Sequence, residues 1–118
     1  MKPLKAIIVD DIKLIRAELK LILGKFSEIE IVGEAASVGK ALNLIAELEP
    51  DVVFLDIHLP RRSGFDLLDQ LTSEIKVIFI TSYSNEYAEE AKKYNPVDFL
   101  TKPVSKDKLS RAISKLIN

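Results

Sequence analysis

The stretch DVVFLDIHLP, residues Asp51–Pro60, contains four consecutive apolar residues followed by a carboxylate, Asp56. A short continuous apolar run suits a strand that is buried on both faces of a parallel sheet. An ionised carboxylate is costly to bury unless it is paired or bound to a metal. The stretch therefore predicts a central strand, and it raises the question of what stabilises a charge at the end of that strand.

Four further strand-like runs begin near Leu4, Ile29, Val77 and Val97, and consecutive runs start 20–25 residues apart. The intervening segments show helical periodicity, and two shorter helices are expected near Phe65–Leu71 and Glu86–Tyr94. In each of the three clearest helices the apolar residues fall on one face: Ile12, Ile15, Leu19, Ile22 and Phe26; Val38, Ala41, Leu42, Ile45 and Leu48; and Leu109, Ala112, Ile113 and Leu116. The order is therefore strand and helix, repeated five times.

Boundary signals agree with this reading: Ser37 and Ser105 are candidate N-caps, and Ser63 with Asp66 resembles a capping box. The first, third and fourth runs are continuously apolar, whereas the second run alternates and Asp98 interrupts the fifth. The second and fifth strands are therefore expected at the edges. We predict an α/β fold, a flavodoxin-like (βα)5 doubly wound parallel sheet with strand order 2-1-3-4-5.

Composition narrows the functional classes. The chain has 118 residues, a formal net charge of −1, no cysteine and one histidine, His58. Disulfides, cysteine zinc sites and histidine-rich metal sites are thereby excluded. The near-neutral charge gives no general attraction to nucleic acid or acidic membranes. The apolar runs are only a few residues long, which is too short for a membrane span. We therefore expect one cytoplasmic domain over residues 1–118 that binds neither nucleic acid nor a membrane.

Polar side chains stand at the ends of four predicted strands: Asp10 and Asp11, Asp56, Thr81 and Lys102. Taken singly each has an ordinary explanation, such as a helix cap, a turn residue or a solvated lysine. The predicted fold brings the ends of strands one and three together, so three carboxylates would repel one another without a cation. Oxygen ligands alone suit Mg²⁺ or a similar hard ion, and a lysine with a hydroxyl suits an anion. Together they predict a phosphoryl-transfer site.

The chain resembles a response-regulator receiver domain of the CheY-like superfamily, the phosphoacceptor half of bacterial two-component signalling. The resemblance rests on VDD at residues 9–11, LDIHLPRRSG at 55–64, FITS at 79–82 and KP at 102–103. The stretches FLDIHLPRRSGFDLL, VIFITSYSNEYAEEA and DFLTKPV further resemble the LytTR (AlgR/AgrA-like) branch. The resemblance covers essentially the whole chain.

This resemblance implies that Asp56 is a nucleophile that accepts a phosphoryl group from a histidine kinase. It implies Mg²⁺, or Mn²⁺, held directly by Asp11 and Asp56, through water by Asp10, and by the backbone carbonyl of His58. The imidazole of His58 is not implied as a ligand. Such a receiver catalyses only its own phosphorylation and dephosphorylation, so we do not expect an enzyme in the usual sense.

The resemblance also implies that Thr81 and Lys102 bind phosphoryl oxygens and that the Lys102-Pro103 peptide bond is cis. Phosphorylation would draw Thr81 inward together with the switch aromatic, Phe99. The side chains of His58 and Tyr83 would tune hydrolysis of the phosphoryl group. Partners would be a sensor histidine kinase and a second copy, contacted through the fourth helix, fifth strand and fifth helix, with a transcriptional output.

Three other classes of protein share parts of this pattern. An FMN-binding flavodoxin would need a hydroxyl- and glycine-rich phosphate loop where VDDIKL stands. A haloacid-dehalogenase-type phosphatase would need a D-x-D motif after the first strand and a cap domain. A non-phosphorylated pseudo-receiver, acting purely as an interaction module, would usually have lost Asp11, Asp56 or Lys102, and all three are present.

Overall fold

Five strands alternate with five helices in the computed structural model of this chain, which describes residues 2–82 and 84–118. The elements in chain order are β1 (Leu4–Val9), α1 (Lys13–Leu23), β2 (Ile29–Ala35), α2 (Val38–Leu48), β3 (Val52–Leu55), α3 (Gly64–Asp69), β4 (Lys76–Thr81), α4 (Ser84–Lys92), β5 (Asp98–Thr101) and α5 (Lys106–Ile117). All neighbouring strands pair in parallel, in the order β2-β1-β3-β4-β5. The predicted flavodoxin-like topology is confirmed.

The burial of the strands explains this order. The last four residues of β1 and all of β3 are inaccessible or nearly so, as expected for strands covered by helices on both faces. In β2, Ile29 is buried while Glu30 is exposed, and β5 is mostly half-buried. The alternating and interrupted runs therefore lie at the two edges, as predicted.

The predicted helix caps are also confirmed. The side chains of Ser37 and Ser105 each accept a hydrogen bond from the backbone N–H three residues later. At α3, Ser63 accepts from the backbone N–H of Asp66, and the Asp66 carboxylate accepts from the backbone N–H of Ser63. These bonds satisfy N–H groups that have no partner within the helix.

The buried faces of the helices follow the predicted periodicity in α5 but depart from it in α1. The four apolar residues predicted for α5 are all buried. In α1 the prediction for Ile12 is wrong: this residue precedes the first helical turn and is 50% exposed. Leu23, which was not predicted, is fully buried instead.

The core consists of two layers, one on each face of the sheet. On one face, residues such as Ile7 and Val53 pack under α2, α3 and α4; on the other, residues such as Ile8 and Phe54 pack under α1 and α5. Alternate residues of a strand point to opposite faces, so each central strand contributes to both layers. Within residues 2–82 and 84–118, none of the helices combines the length and the apolar character needed to cross a bilayer.

Candidate functional site

The carboxylates of Asp10, Asp11 and Asp56 converge at the carboxyl edge of the sheet. One oxygen from each lies within 4.8 Å of the others. The backbone joins them as well, because the N–H of Asp56 donates to the carbonyl of Val9 at 2.9 Å. Asp10 is 1% exposed and Asp56 5% exposed, whereas Asp11 lies on the surface. Two of the three carboxylates are thus buried, and the third faces solvent.

The ammonium group of Lys102 lies between two of these carboxylates. Its Nζ is 2.7 Å from Asp10 Oδ2 and 2.9 Å from Asp56 Oδ2, and its side chain is 11% exposed. The Lys102-Pro103 peptide bond is cis, and the backbone N–H of Lys102 donates to the carbonyl of Thr81 at 2.9 Å. In this structure the lysine is the counter-ion that makes two buried carboxylates tolerable.

Burial and mutual charge change the acidity of this cluster. Burial raises the pKa of Asp56, and the hydrogen bond and charge of Lys102 offset part of that increase. Burial alone would lower the pKa of Lys102, but the Asp10 and Asp56 carboxylates raise it overall. Lys102 is therefore held protonated, where it can attract negatively charged oxygens.

The donor set fits a small divalent cation. Three carboxylates without sulfur or imidazole are the hard oxygen ligands that Mg²⁺ and Mn²⁺ prefer, and the exposed Asp11 leaves room for bound water. His58 lies next to this set, since its backbone N–H donates to Asp56 Oδ1 at 3.2 Å. Its side chain is exposed at the edge of the site.

The loop after β3 is fixed tightly against the end of the strand. The N–H of Gly64 donates to the carbonyl of Ile57 at 2.7 Å, and His58 forms an antiparallel bridge with Ser63. A Cβ atom at Gly64 would lie 2.5 Å from the carbonyl oxygen of Asp56, so only glycine allows this approach. The position of Asp56 therefore depends on a residue eight positions later.

Thr81 and Phe99 lie on the neighbouring strands β4 and β5. Thr81 is fully buried at the end of β4, where it pairs in register with Thr101. Phe99 is half-buried, and its ring centroid lies 5.9 Å from that of Phe79. Tyr83, which was expected to tune hydrolysis, lies outside the described residues.

Sequence reasoning missed the surroundings of the Asp10 backbone. The guanidinium of Arg16 donates through Nη1 to the carbonyl of Asp10 and through Nε to Glu34 Oε1, both at 2.7 Å. The sequence offered one indication of this contact. An arginine follows shortly after the aspartate pair, and a glutamate stands near the end of the neighbouring strand. Their separation of 18 residues hides the contact until the topology is known.

Tyr87 in α4 and Tyr94, two residues after the end of that helix, pack against α3. The ring of Tyr94 stacks on Phe65 at 5.1 Å, and the ring of Tyr87 meets the same phenylalanine edge-on at 6.0 Å. The Tyr94 hydroxyl donates to Asp69 Oδ1 at 2.7 Å. These rings attach the region of α4 to α3.

The chain is similar to proteins of one known family. Residues 6–114 match the response regulator receiver domain family, and the chain belongs to that family. Among curated relatives, it is 39% identical to a response regulatory protein of Vibrio cholerae that is itself uncharacterized, over 97% of this chain and 48% of that protein. It is 36% identical to the transcriptional regulatory protein BtsR of Escherichia coli, over 96% and 48%. The chain thus spans about half the length of these relatives.

Solved structures give the same family. The response regulatory domain of protein mrkE from Klebsiella pneumoniae superposes with a TM-score of 0.85 at 30% identity, covering 96% of this chain and 94% of that one. A DNA-binding response regulator of the LuxR family from Staphylococcus aureus superposes with a TM-score of 0.87 at 28% identity, covering 98% and 99%. The chain is therefore a receiver domain of the two-component response regulator type.

Proposed function

We propose that residues 1–118 form a phosphoacceptor receiver domain in which a histidine kinase transfers a phosphoryl group to Asp56. The observation that carries this proposal is the convergence of three carboxylates and one lysine at the carboxyl ends of three strands. Charge clustering of this kind destabilises a fold unless the charges are paired. Membership of the receiver domain family indicates a function for this cluster of charges.

In the proposed reaction a carboxylate oxygen of Asp56 attacks the phosphorus atom carried by the kinase histidine. The new O–P bond forms as the P–N bond breaks, and the electron pair of that bond remains on the imidazole nitrogen. Asp11 and Asp56 would hold Mg²⁺ or Mn²⁺ directly, Asp10 through water, and His58 through its backbone carbonyl. The bound cation would neutralise negative charge on the phosphoryl oxygens.

Lys102 and Thr81 would respond to the new phosphoryl group. The Lys102 ammonium, which pairs with the carboxylates here, would turn toward a phosphoryl oxygen, and the Thr81 hydroxyl would donate to another. Phe99, now half-buried beside Phe79, would turn further inward. Shifting a two-state protein from 1:99 to 99:1 needs about 5.5 kcal/mol, which two or three charged hydrogen bonds of about 1.5–3 kcal/mol each can supply.

The surface of α1 supports contact with a kinase. Leu14 and Leu21 are 67% and 72% exposed, and they lie seven residues apart, on one face of the helix. Ile12, directly after the aspartate pair, is exposed as well. An apolar patch beside Asp11 would bring a partner's phosphohistidine to the open side of the site.

The remaining assignments concern the output. We propose a cytoplasmic regulator of the LytTR branch that controls transcription and dimerises through α4, β5 and α5 when phosphorylated. Support comes from the sequence stretches noted above and from the name of BtsR, a transcriptional regulatory protein of about twice this length. Residues 1–118 would not themselves contact nucleic acid.

The phosphorylation proposal is tested by incubation with acetyl phosphate and MgCl₂, followed by intact mass measurement. We expect the wild type to gain one phosphoryl group and Asp56→Asn to gain none. Asp51→Asn is the matched control, because Asp51 precedes the same strand at its opposite end and should leave the gain intact. An equal gain in Asp56→Asn would refute the assignment. No gain in the wild type, with acetyl phosphate or with a kinase, would favour a pseudo-receiver.

A further inference from the structure

We propose that Arg16, anchored by Glu34, is a positioning residue that orients the Asp10-Asp11 peptide for divalent cation binding. This inference rests on the proposed function in one respect, that these aspartates hold the cation. Neither the Arg16 nor the Glu34 side chain takes a direct part in the proposed phosphoryl transfer.

The contacts of Arg16 place its guanidinium between two elements. From α1 it donates to the Glu34 carboxylate on β2 and to the carbonyl oxygen of Asp10, each at 2.7 Å. Its side chain is only 13% exposed, so solvent does not compete freely for these bonds. A planar guanidinium can make both bonds at once with fixed relative directions, which an ammonium group cannot.

The same aspartate is held on its other side. The N–H of Asp10 donates to the carbonyl of Ala35 at 3.1 Å, and Asp10 Oδ1 accepts from the N–H of Ile12 at 2.9 Å. Ala35 directly follows Glu34, so the end of β2 fixes the N–H of Asp10 directly and its carbonyl through Arg16. Fixing that carbonyl fixes the plane of the peptide from which Asp11 extends.

The positive charge of Arg16 cannot by itself favour cation binding, which leaves orientation of the Asp10-Asp11 peptide as its role. A cation beside a cation site lowers metal affinity by Coulomb repulsion, so Arg16 would be unfavourable there if charge alone mattered. The negative charge of Glu34 counteracts this repulsion. Hydrogen bonds from Lys20, the larger effect, and from Arg16 lower the pKa of the Glu34 carboxyl. Glu34 therefore stays ionised and largely cancels the charge of Arg16 while holding its guanidinium in place.

Titration calorimetry with MgCl₂ alone separates these effects by sign. If Arg16 positions Asp11, Arg16→Gln should raise the Mg²⁺ dissociation constant about tenfold, a typical loss for residues that orient metal ligands. If Arg16 acts only through charge, the same variant should bind Mg²⁺ more tightly. Lys20→Gln is the matched control, because Lys20 also pairs with Glu34 but is not bonded to Asp10 in this structure. It should stay within about twofold of wild type, since exposed charges are screened.

Kinetics provide a readout that general damage would not reproduce. The rate of phosphorylation by acetyl phosphate, measured against Mg²⁺ concentration, should show a higher half-saturating concentration in Arg16→Gln with its maximal rate retained. A lower maximal rate at saturating Mg²⁺ would contradict a positioning role. An unchanged or tighter dissociation constant in a folded Arg16→Gln protein would overturn the proposal outright.

Two further variants keep the proposal testable if Arg16→Gln does not fold. Arg16→Lys retains the charge but cannot bridge both acceptors, and Glu34→Gln weakens the anchor; both should weaken Mg²⁺ binding, and unchanged binding in both would refute the inference. Asp11→Asn identifies a different failure. If the wild type binds no Mg²⁺, or Asp11→Asn binds it equally well, the proposed function fails, whatever Arg16 does.

Discussion

The middle of the sheet and its carboxyl edge are built on opposite principles. In the middle, side chains such as Ile8, Phe54 and Ile78 are at most 1% exposed and bury no charge. Just past the ends of two of these strands, Asp10 and Asp56 are also buried, at 1% and 5% exposed, but they carry charge, and one lysine pairs with both. Buried apolar surface stabilises a fold, while buried ion pairs contribute little net stability.

The comparison shows where stability and function separate in this chain. Changes in the middle of the sheet should reduce the free energy of unfolding and leave cation binding alone. Changes at the edge should alter stability in a way that depends on the cation, because the proposed Mg²⁺ would share carboxylates with Lys102.

The largest effect is expected in the middle of the sheet. Phe54→Ala should lower the free energy of unfolding by about 3–5 kcal/mol, because it leaves a cavity under α1 and α5. Urea unfolding followed by circular dichroism measures this loss. Leu21→Ala, on the exposed face of α1, should cost less than about 0.5 kcal/mol. A loss below about 1 kcal/mol for Phe54→Ala would contradict the assignment of the core.

At the edge, Lys102→Met leaves two buried carboxylates without a counter-ion. In the absence of divalent cations this substitution should lower the free energy of unfolding by about 3 kcal/mol. Millimolar Mg²⁺ should reduce that difference between the variant and wild type. Lys115→Met is the control, since its exposed pair with Asp98 is worth at most about 1 kcal/mol and should not respond to Mg²⁺. If Mg²⁺ leaves the difference in stability between Lys102→Met and wild type unchanged, the cation does not bind these carboxylates as proposed.

A smaller effect is expected where α3 meets Tyr94. Tyr94→Phe keeps the ring on Phe65 but removes the hydrogen bond to Asp69, and should cost about 1 kcal/mol. Burial, followed by the nearby Asp69, raises the pKa of Tyr94 to about 12, so the hydroxyl keeps its proton at neutral pH. A double-mutant cycle with Asp69→Asn isolates the bond. Additive losses would show that the contact is not energetically coupled.

The smallest effect should depend on pH. The pKa of Glu34 is lowered by Lys20 and Arg16, so the folded carboxyl releases its proton at lower pH than the unfolded one, whose ordinary value is 4.5. Its contribution to stability is therefore fully present above pH 4.5 and is lost as the pH falls through the folded pKa. The stability gap between wild type and Glu34→Gln should close across that acidic range in urea titrations. A gap that widens on acidification would have the wrong sign.

Much of the fold could be predicted from the sequence, because the patterns that indicate its edge strands and helix starts are local. The alternation at Ile29 and Glu30 and the interruption at Asp98 identified the edge strands, and Ser37, Ser63 and Ser105 identified helix starts. The start of α1 was not predicted correctly. Periodicity placed Ile12 in the buried face, but periodicity does not show where a helix begins, and Ile12 stands just before α1.

Less of the candidate site could be predicted from the sequence, because its geometry depends on contacts between residues that are distant along the chain. The sequence indicated which strands end in polar residues, but not that Lys102 would pair with Asp10 and Asp56 in one structure. The inward packing of Tyr94 on Phe65 and the bonds of Arg16 were missed for the same reason. Each contact joins elements whose spacing is set by the tertiary fold.

Asp56 is the residue proposed to accept the phosphoryl group. The most direct test is borohydride reduction of the acetyl phosphate-treated protein, followed by peptide mass mapping. Reduction converts an aspartyl phosphate to homoserine, and we predict homoserine at position 56 in a Mg²⁺-dependent manner. Homoserine at Asp10, Asp11 or another aspartate instead, with position 56 unchanged, would contradict the account.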